Sequence, residues 1–95
     1  MDLAVVDVPE RSRYEVSADG EVVGFSAYHL IDEGVYALPH VEVDPAFEGR
    51  GVASALMRES LDDIRERGLK VVPICPFART YIGKNQGYAD LVHKG

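Results

Sequence analysis

The hydrophobic pattern changes period near the middle of the chain. In the first half, apolar and polar residues alternate in short runs, the mark of strands with one buried face. Arg13 to Ser17 (RYEVS) is one such run, Glu21 to Leu30 (EVVGFSAYHL) the next, and Val35 to Val43 (VYALPHVEV) the third. Ala18-Asp19-Gly20 separates the first two, and Asp-Gly in that place predicts a hairpin whose central residues both take positive φ. Ile31-Asp32-Glu33-Gly34 turns the chain again, which predicts a third strand antiparallel to the second. From Ala53 the spacing is helical: Leu56, Met57, Leu61 and Ile64 share one face, and Arg58, Glu59, Asp62, Asp63, Arg65 and Glu66 the other. Gly68 stands where a C-terminal cap glycine belongs. Leu69 to Ile74 (LKVVPI) is almost continuously apolar, as in a buried strand. Pro76 suits the first position of a second helix running to about Lys84. Tyr88 to Val92 (YADLV) reads as a short last strand. The order is β-β-β-α-β-α-(β), an α/β chain with a mixed sheet and two helices packed on it.

Composition narrows the function. At 95 residues the chain is one small domain. The net charge of −6 argues against a nucleic-acid backbone or an anionic membrane as partner, since either calls for a basic face. It leaves room for a small anionic ligand held by a local set of donors. The one cysteine, Cys75, permits no internal disulfide, so a reducing cytoplasm is the expected compartment. The N-terminus MDLAVVDVPE has neither a basic start nor a long apolar run, so no signal peptide is expected. No stretch reaches the ~18 apolar residues of a membrane span.

The junction of the two halves carries chemistry. Gly49-Arg50-Gly51 lies between the third strand and the first helix. A helix N-terminus leaves its first N–H groups without partners and is electropositive, so it suits an anion. Two glycines allow close approach to the backbone, and the arginine adds a forked cationic donor. A phosphate or pyrophosphate is one occupant of such a turn; a plain tight turn with a solvated arginine is the other reading. The stretch lacks the lysine and Ser/Thr of the nucleotide-hydrolase phosphate loop and the full Gly-x-Gly-x-x-Gly pattern.

Glu48-Gly49-Arg50-Gly51-Val52-Ala53 resembles the acetyl-CoA pyrophosphate motif of the GNAT acetyltransferase superfamily, Gln/Arg-x-x-Gly-x-Gly/Ala. Gly51 and Ala53 fit it. Glu48 departs from it and is left out of the site. The likeness is closer to minimal single-domain GNAT-like proteins, and four pieces carry it: His40-Val41-Glu42-Val43, Gly49-Arg50-Gly51, Val71-Val72-Pro73-Ile74-Cys75-Pro76-Phe77 and Tyr81-Ile82-Gly83-Lys84. The resemblance covers about Tyr14 to Val92. It implies one GNAT-like domain over residues 1–95, with acetyl-CoA as cofactor and an amine as acetyl acceptor. It also implies that Val43, Gly49, Arg50, Gly51, Val52, Ala53, Ser54 and Lys84 hold the cofactor, and it calls for no metal.

Acetyl transfer needs a neutral amine and therefore a base. Strand parity puts His40 and Glu42 on one face and Val41 and Val43 on the other. His40 suits the role of base because its ordinary pKa is near neutral, and Glu42 is the substitute. Cys75 sits at the end of a strand and the start of a helix, where a thiolate is favoured; it either takes the acetyl group or lines the thioester pocket. Pro73 cannot donate to a ladder, which suits a strand that splays from its neighbour or lies at an edge. The resemblance makes Tyr81 the proton donor to the leaving thiolate. The leading expectation is an N-acetyltransferase. The rivals are a CoA-binding module without robust catalysis and a small interaction domain. The acceptor and the oligomeric state stay open.

Overall fold

The computed structural model, which describes residues 1–94, begins with a strand that the alternation does not mark. β1 (Leu3–Val8) pairs antiparallel with β2 (Arg13–Ala18) from Leu3↔Ala18 to Val8↔Arg13. Its sequence LAVVDV is almost wholly apolar, so no alternation shows, although Leu3 and Val5 are half-buried and Ala4 and Val6 exposed. β3 (Glu21–Ala27) completes the hairpin, and Asp19 and Gly20 take φ of 49° and 88° as the turn requires.

The next two runs each divide. The second continues past Tyr28 as β4 (His29–Asp32). The third splits at Pro39 into β5 (Val35–Leu38) and β6 (Val41–Val43). β4 pairs with β5 and β3 with β6, both antiparallel as the turn signal predicts. β7 (Lys70–Pro73) runs parallel to β5. A four-stranded sheet, β1-β2-β3-β6, thus leads into a three-stranded one, β4-β5-β7. Pro39 lies at the division because it has no N–H to give either ladder.

α1 (Val52–Glu66) covers one face. Its Leu56, Met57, Leu61 and Ile64 are fully buried in one cluster with Tyr14, Val16, Leu38 and Val71. It ends in paired bonds from Leu69 N–H to the Ile64 carbonyl (3.1 Å) and from Gly68 N–H to the Arg65 carbonyl (3.0 Å), a Schellman cap. α2 (Pro76–Lys84) adds Ala78 and Ile82 to the same core. Gln86–Leu91 is a 3₁₀ helix rather than the expected strand, and only Val92 bridges Val71. Side-chain bonds hold it against α1: Tyr88 Oη donates to Asp62 (2.7 Å) and Arg65 to Asp90 (2.9 Å).

A partly buried phenol–carboxylate network ties the end of α1 to the sheet. Tyr14 Oη donates to Asp63 and Tyr28 Oη to Asp7, each at 2.6 Å. Arg67 pairs with both acids, at 3.0 Å and 2.9 Å. Burial first, then the hydrogen-bonded carboxylates, push both phenols far above their ordinary range. A group that keeps its proton longer in the folded chain stabilises it fully below the unfolded pKa, near 10 for tyrosine, and loses that contribution as pH rises. Stability is therefore expected to fall steeply above about pH 10, and Tyr14→Phe to remove about 1.4 kcal/mol per pH unit from that slope. Urea denaturation across the alkaline range measures it; an unchanged slope in Tyr14→Phe would contradict the assignment.

Candidate functional site

The turn into α1 is built by backbone conformation. Asp44 accepts the Ala46 N–H on its side chain (2.9 Å) and starts a 3₁₀ turn, Pro45–Phe47. Gly49 and Gly51 then take φ of 76° and 79°, where an L side chain costs about 1–2 kcal/mol. Nothing lies within 4 Å of where a Cβ would stand on either, so the turn is open to a visitor. Gly51 is the N-cap and offers no side chain, so the first N–H groups of α1 have no capping acceptor. A cleft of about 410 Å³ lies at this helix end. Gly49, Gly51, Val52, Ala53 and Ser54 form one wall, and Val41, Val43, Phe47 and Phe77 supply apolar surface. Glu48 lines it too. Arg50 is exposed, with its guanidinium 5.4 Å from the Phe47 ring centre.

One wall of the cleft is β6, which parts from the strands beyond. The Leu38 carbonyl accepts the N–H of both Ile74 (3.1 Å) and Cys75 (2.9 Å), the last link between the β5 and β7 sides. Past it, β6 turns to β3: Ala27 N–H donates to the His40 carbonyl (2.9 Å) and Asp44 N–H to the Val23 carbonyl (2.7 Å), with Phe25 opposite Glu42. His40, Glu42 and Asp44 thus direct backbone groups toward β3. The alternate residues, Val41 and Val43, direct theirs to the opposite edge. No strand pairs with that edge among the described residues. Pro73 ends β7, the edge strand of its sheet, so both readings of this proline, splayed and edge, fit the fold.

The candidate side chains divide around this gap. Cys75 is buried at the N-cap of α2, on the core side. His40 and Glu42 point to the outer face of β6, with Nε2 and Oε1 3.8 Å apart and both side chains mostly exposed. The His40 ring lies 5.8 Å from that of Phe25. There they line a second, open cleft of about 610 Å³ with Phe25, Asp44 and Glu48. The two clefts share Val41, Val43 and Glu48, so one strand separates them. Tyr81 lines neither; it stands half-buried between Phe77 (6.3 Å) and Tyr88 (6.1 Å). Lys84, exposed at the end of α2, lines neither cleft. Among the described residues no group of three or more His, Cys, Asp or Glu could hold a metal.

Phe47 and Phe77, which close the cleft at the helix start, and Phe25 and Asp44, which shape the outer one, were not among the expected site residues. Asp44-Pro45 carried a usable signal, because an Asp before Pro often caps a turn. Phe77 stands in the Val71–Phe77 piece that carries the resemblance, but nothing in the spacing brings it to Phe47. The arrangement can hold an anion with an apolar, amide-bearing tail: uncapped N–H groups for the charge, a free strand edge for the amides, and valines and phenylalanines for the rest. A titratable ring waits on the far side of the same strand.

Comparison with known proteins agrees with this geometry. Residues 13–91 match the family model of the GCN5-related N-acetyl-transferases. Protein NATD1 of Gallus gallus is 33% identical over 58 residues, 61% of this chain and 53% of that protein. The chain thus matches about half the length of that curated relative. The solution structure of a GCN5-like protein from Staphylococcus aureus has the same fold, with TM-score 0.74 at 20% identity over 98% of this chain and 90% of that one. A GNAT family acetyltransferase from Brucella melitensis, solved with acetyl-CoA, superposes with TM-score 0.60 at 28% identity over 73% of this chain and 50% of that one. With its sheet parted beside a glycine-built helix start, and its match running through nearly all of the sequence, the chain belongs to the GCN5-related N-acetyltransferase family.

Proposed function

We propose that this protein binds acetyl-CoA and transfers its acetyl group to an amine. The observation that carries the reading is the unpaired edge of β6 beside the uncapped start of α1, with His40 on the outer face of that strand and Cys75 bonded through its N–H to the Leu38 carbonyl where the strands part. The residues fit the cofactor. The N–H groups of Gly51, Val52, Ala53 and Ser54 suit the pyrophosphate, with Gly49 leaving room and Arg50 swinging in from Phe47. The free edge at Val41 and Val43 suits the pantetheine amides. Lys84, exposed at the end of α2, would meet a CoA phosphate. His40 accepts the amine proton as the nitrogen attacks the thioester carbonyl; the C–N bond forms, the C–S bond breaks, and Tyr81 protonates the leaving thiolate. Tyr81 is four residues past Phe77 and so on the same face of α2. Glu42, 3.8 Å from the ring, is the substitute base.

In this reading Cys75 lines the thioester pocket and takes no acetyl group, since transfer between bound partners needs no intermediate. Incubation with acetyl-CoA is expected to leave the Cys75 peptide at its unmodified mass, and Cys75→Ala to keep much of its activity. An acetylated Cys75 peptide with ping-pong kinetics would reverse that assignment. Turnover of acetyl-CoA with a panel of amines tests the whole reading; CoA binding with no turnover of any amine would leave a binding module. We read the chain as one domain of the cytoplasm, on the lone thiol; no helix of the described residues is long and apolar enough to cross a membrane.

A further inference from the structure

The outer cleft has a charge of one sign. Its ionisable lining is Glu42, Asp44 and Glu48 beside His40, and neither lysine nor arginine lines it. Among the described residues, these carboxylates pair with no lysine or arginine; Glu42 lies 3.8 Å from the His40 ring. Arg13 stacks over the Phe25 ring at 4.3 Å, but buried Glu15 holds it at 2.8 Å, so that cation is already neutralised within the sheet. His40, Glu42 and Asp44 fall on alternate positions. At ~3.3 Å per residue the Cα atoms of Glu42 and Asp44 stand about 7 and 13 Å along the strand from that of the base, and the Glu42 carboxylate reaches to 3.8 Å from the His40 ring. Glu48 joins them from the turn, at the wall shared with the cofactor cleft.

From this we infer that the acceptor is an amine with a second positive charge, and that Asp44 and Glu48 select it. The inference rests on the transfer reading above and names its substrate class. The nitrogen that reacts must be neutral at His40. A second ammonium along the same molecule stays charged and meets only carboxylates. Each exposed pair contributes little, but several of one sign add and raise the local concentration of a cation. An amine with a single nitrogen has nothing to offer them.

Cadaverine, spermidine and pentylamine, at saturating acetyl-CoA, provide the test. The expected result is a kcat/KM for cadaverine and spermidine about tenfold above that for pentylamine, shrinking as salt is raised. In Asp44→Asn/Glu48→Gln the ratio is expected to approach one. Asparagine keeps the oxygen that caps Ala46, and the ratio cancels any change in acetyl-CoA affinity. Equal kcat/KM for mono- and diamines in an active wild-type protein, or a ratio untouched by the double substitution, would overturn the charge inference and leave the transfer reading standing. If no amine is turned over, the transfer reading fails. Spermidine is then titrated into the labelled protein with CoA, and the absence of amide shifts at Glu42, Asp44 and Glu48 would overturn the charge inference as well.

Discussion

Replacing His40 with alanine is expected to lower kcat for acetyl transfer by roughly 10²–10⁴ and to erase the rising acid limb of the pH–rate profile. An ammonium has no lone pair with which to attack a thioester, so the nitrogen must lose a proton at the site. A histidine titrates in the range where that transfer is useful. The fold puts His40 where it can act: just past the Leu38 carbonyl that marks the parting of the strands, on the outer face of β6, beside the larger cleft. Glu42, 3.8 Å away, is its partner. Because the side chain points away from the cofactor cleft, acetyl-CoA affinity is expected to stay as it was. Rates measured against pH at saturating acetyl-CoA decide the matter. A His40→Ala protein with both its rate and its acid limb intact would pass the role of base to Glu42.

The second large effect is on the cofactor. Gly51→Val is expected to abolish measurable CoA binding in a protein that still folds. At φ 79° a valine costs about 1–2 kcal/mol or somewhat more, because its branched Cβ resists the left-handed region. That strain falls on a turn, while α1 keeps the buried Leu56, Met57, Leu61 and Ile64 that fix it to the sheet. The new side chain enters open space at the helix start, the very space an anion would occupy. It also shields the N–H groups that would bind it. Arg50→Ala is expected to do less, about 1 kcal/mol, since Arg50 rests over Phe47 and does not line the cleft.

Much of this was legible in the residues, and what was not has identifiable causes. α1 was plain because its apolar face is clean and ends in Gly68. The hairpin at Asp19-Gly20 was plain because few residues other than these tolerate both positive φ values. β1 stayed hidden because a strand rich in valine and alanine on both faces shows no alternation. The 3₁₀ segment at Gln86–Leu91 was read as a strand because YADLV has strand composition, while Tyr88–Asp62 and Arg65–Asp90 contacts with α1 decide its form. At the site, parity alone paired His40 with Glu42 and Val41 with Val43. It could not say which pair faces the glycine turn. That depends on which edge of β6 meets β3 and which side α1 covers, both settled by tertiary packing. Placing His40 and the glycine turn on opposite faces of one strand is the main thing the fold adds.

The most direct measurement is calorimetric titration of the wild-type protein and of folded Gly51→Val with CoA and acetyl-CoA. Saturable one-site binding of both ligands to the wild type, and none to the variant, is expected. No heat of binding with the wild type, or equal affinity in the two proteins, would contradict it.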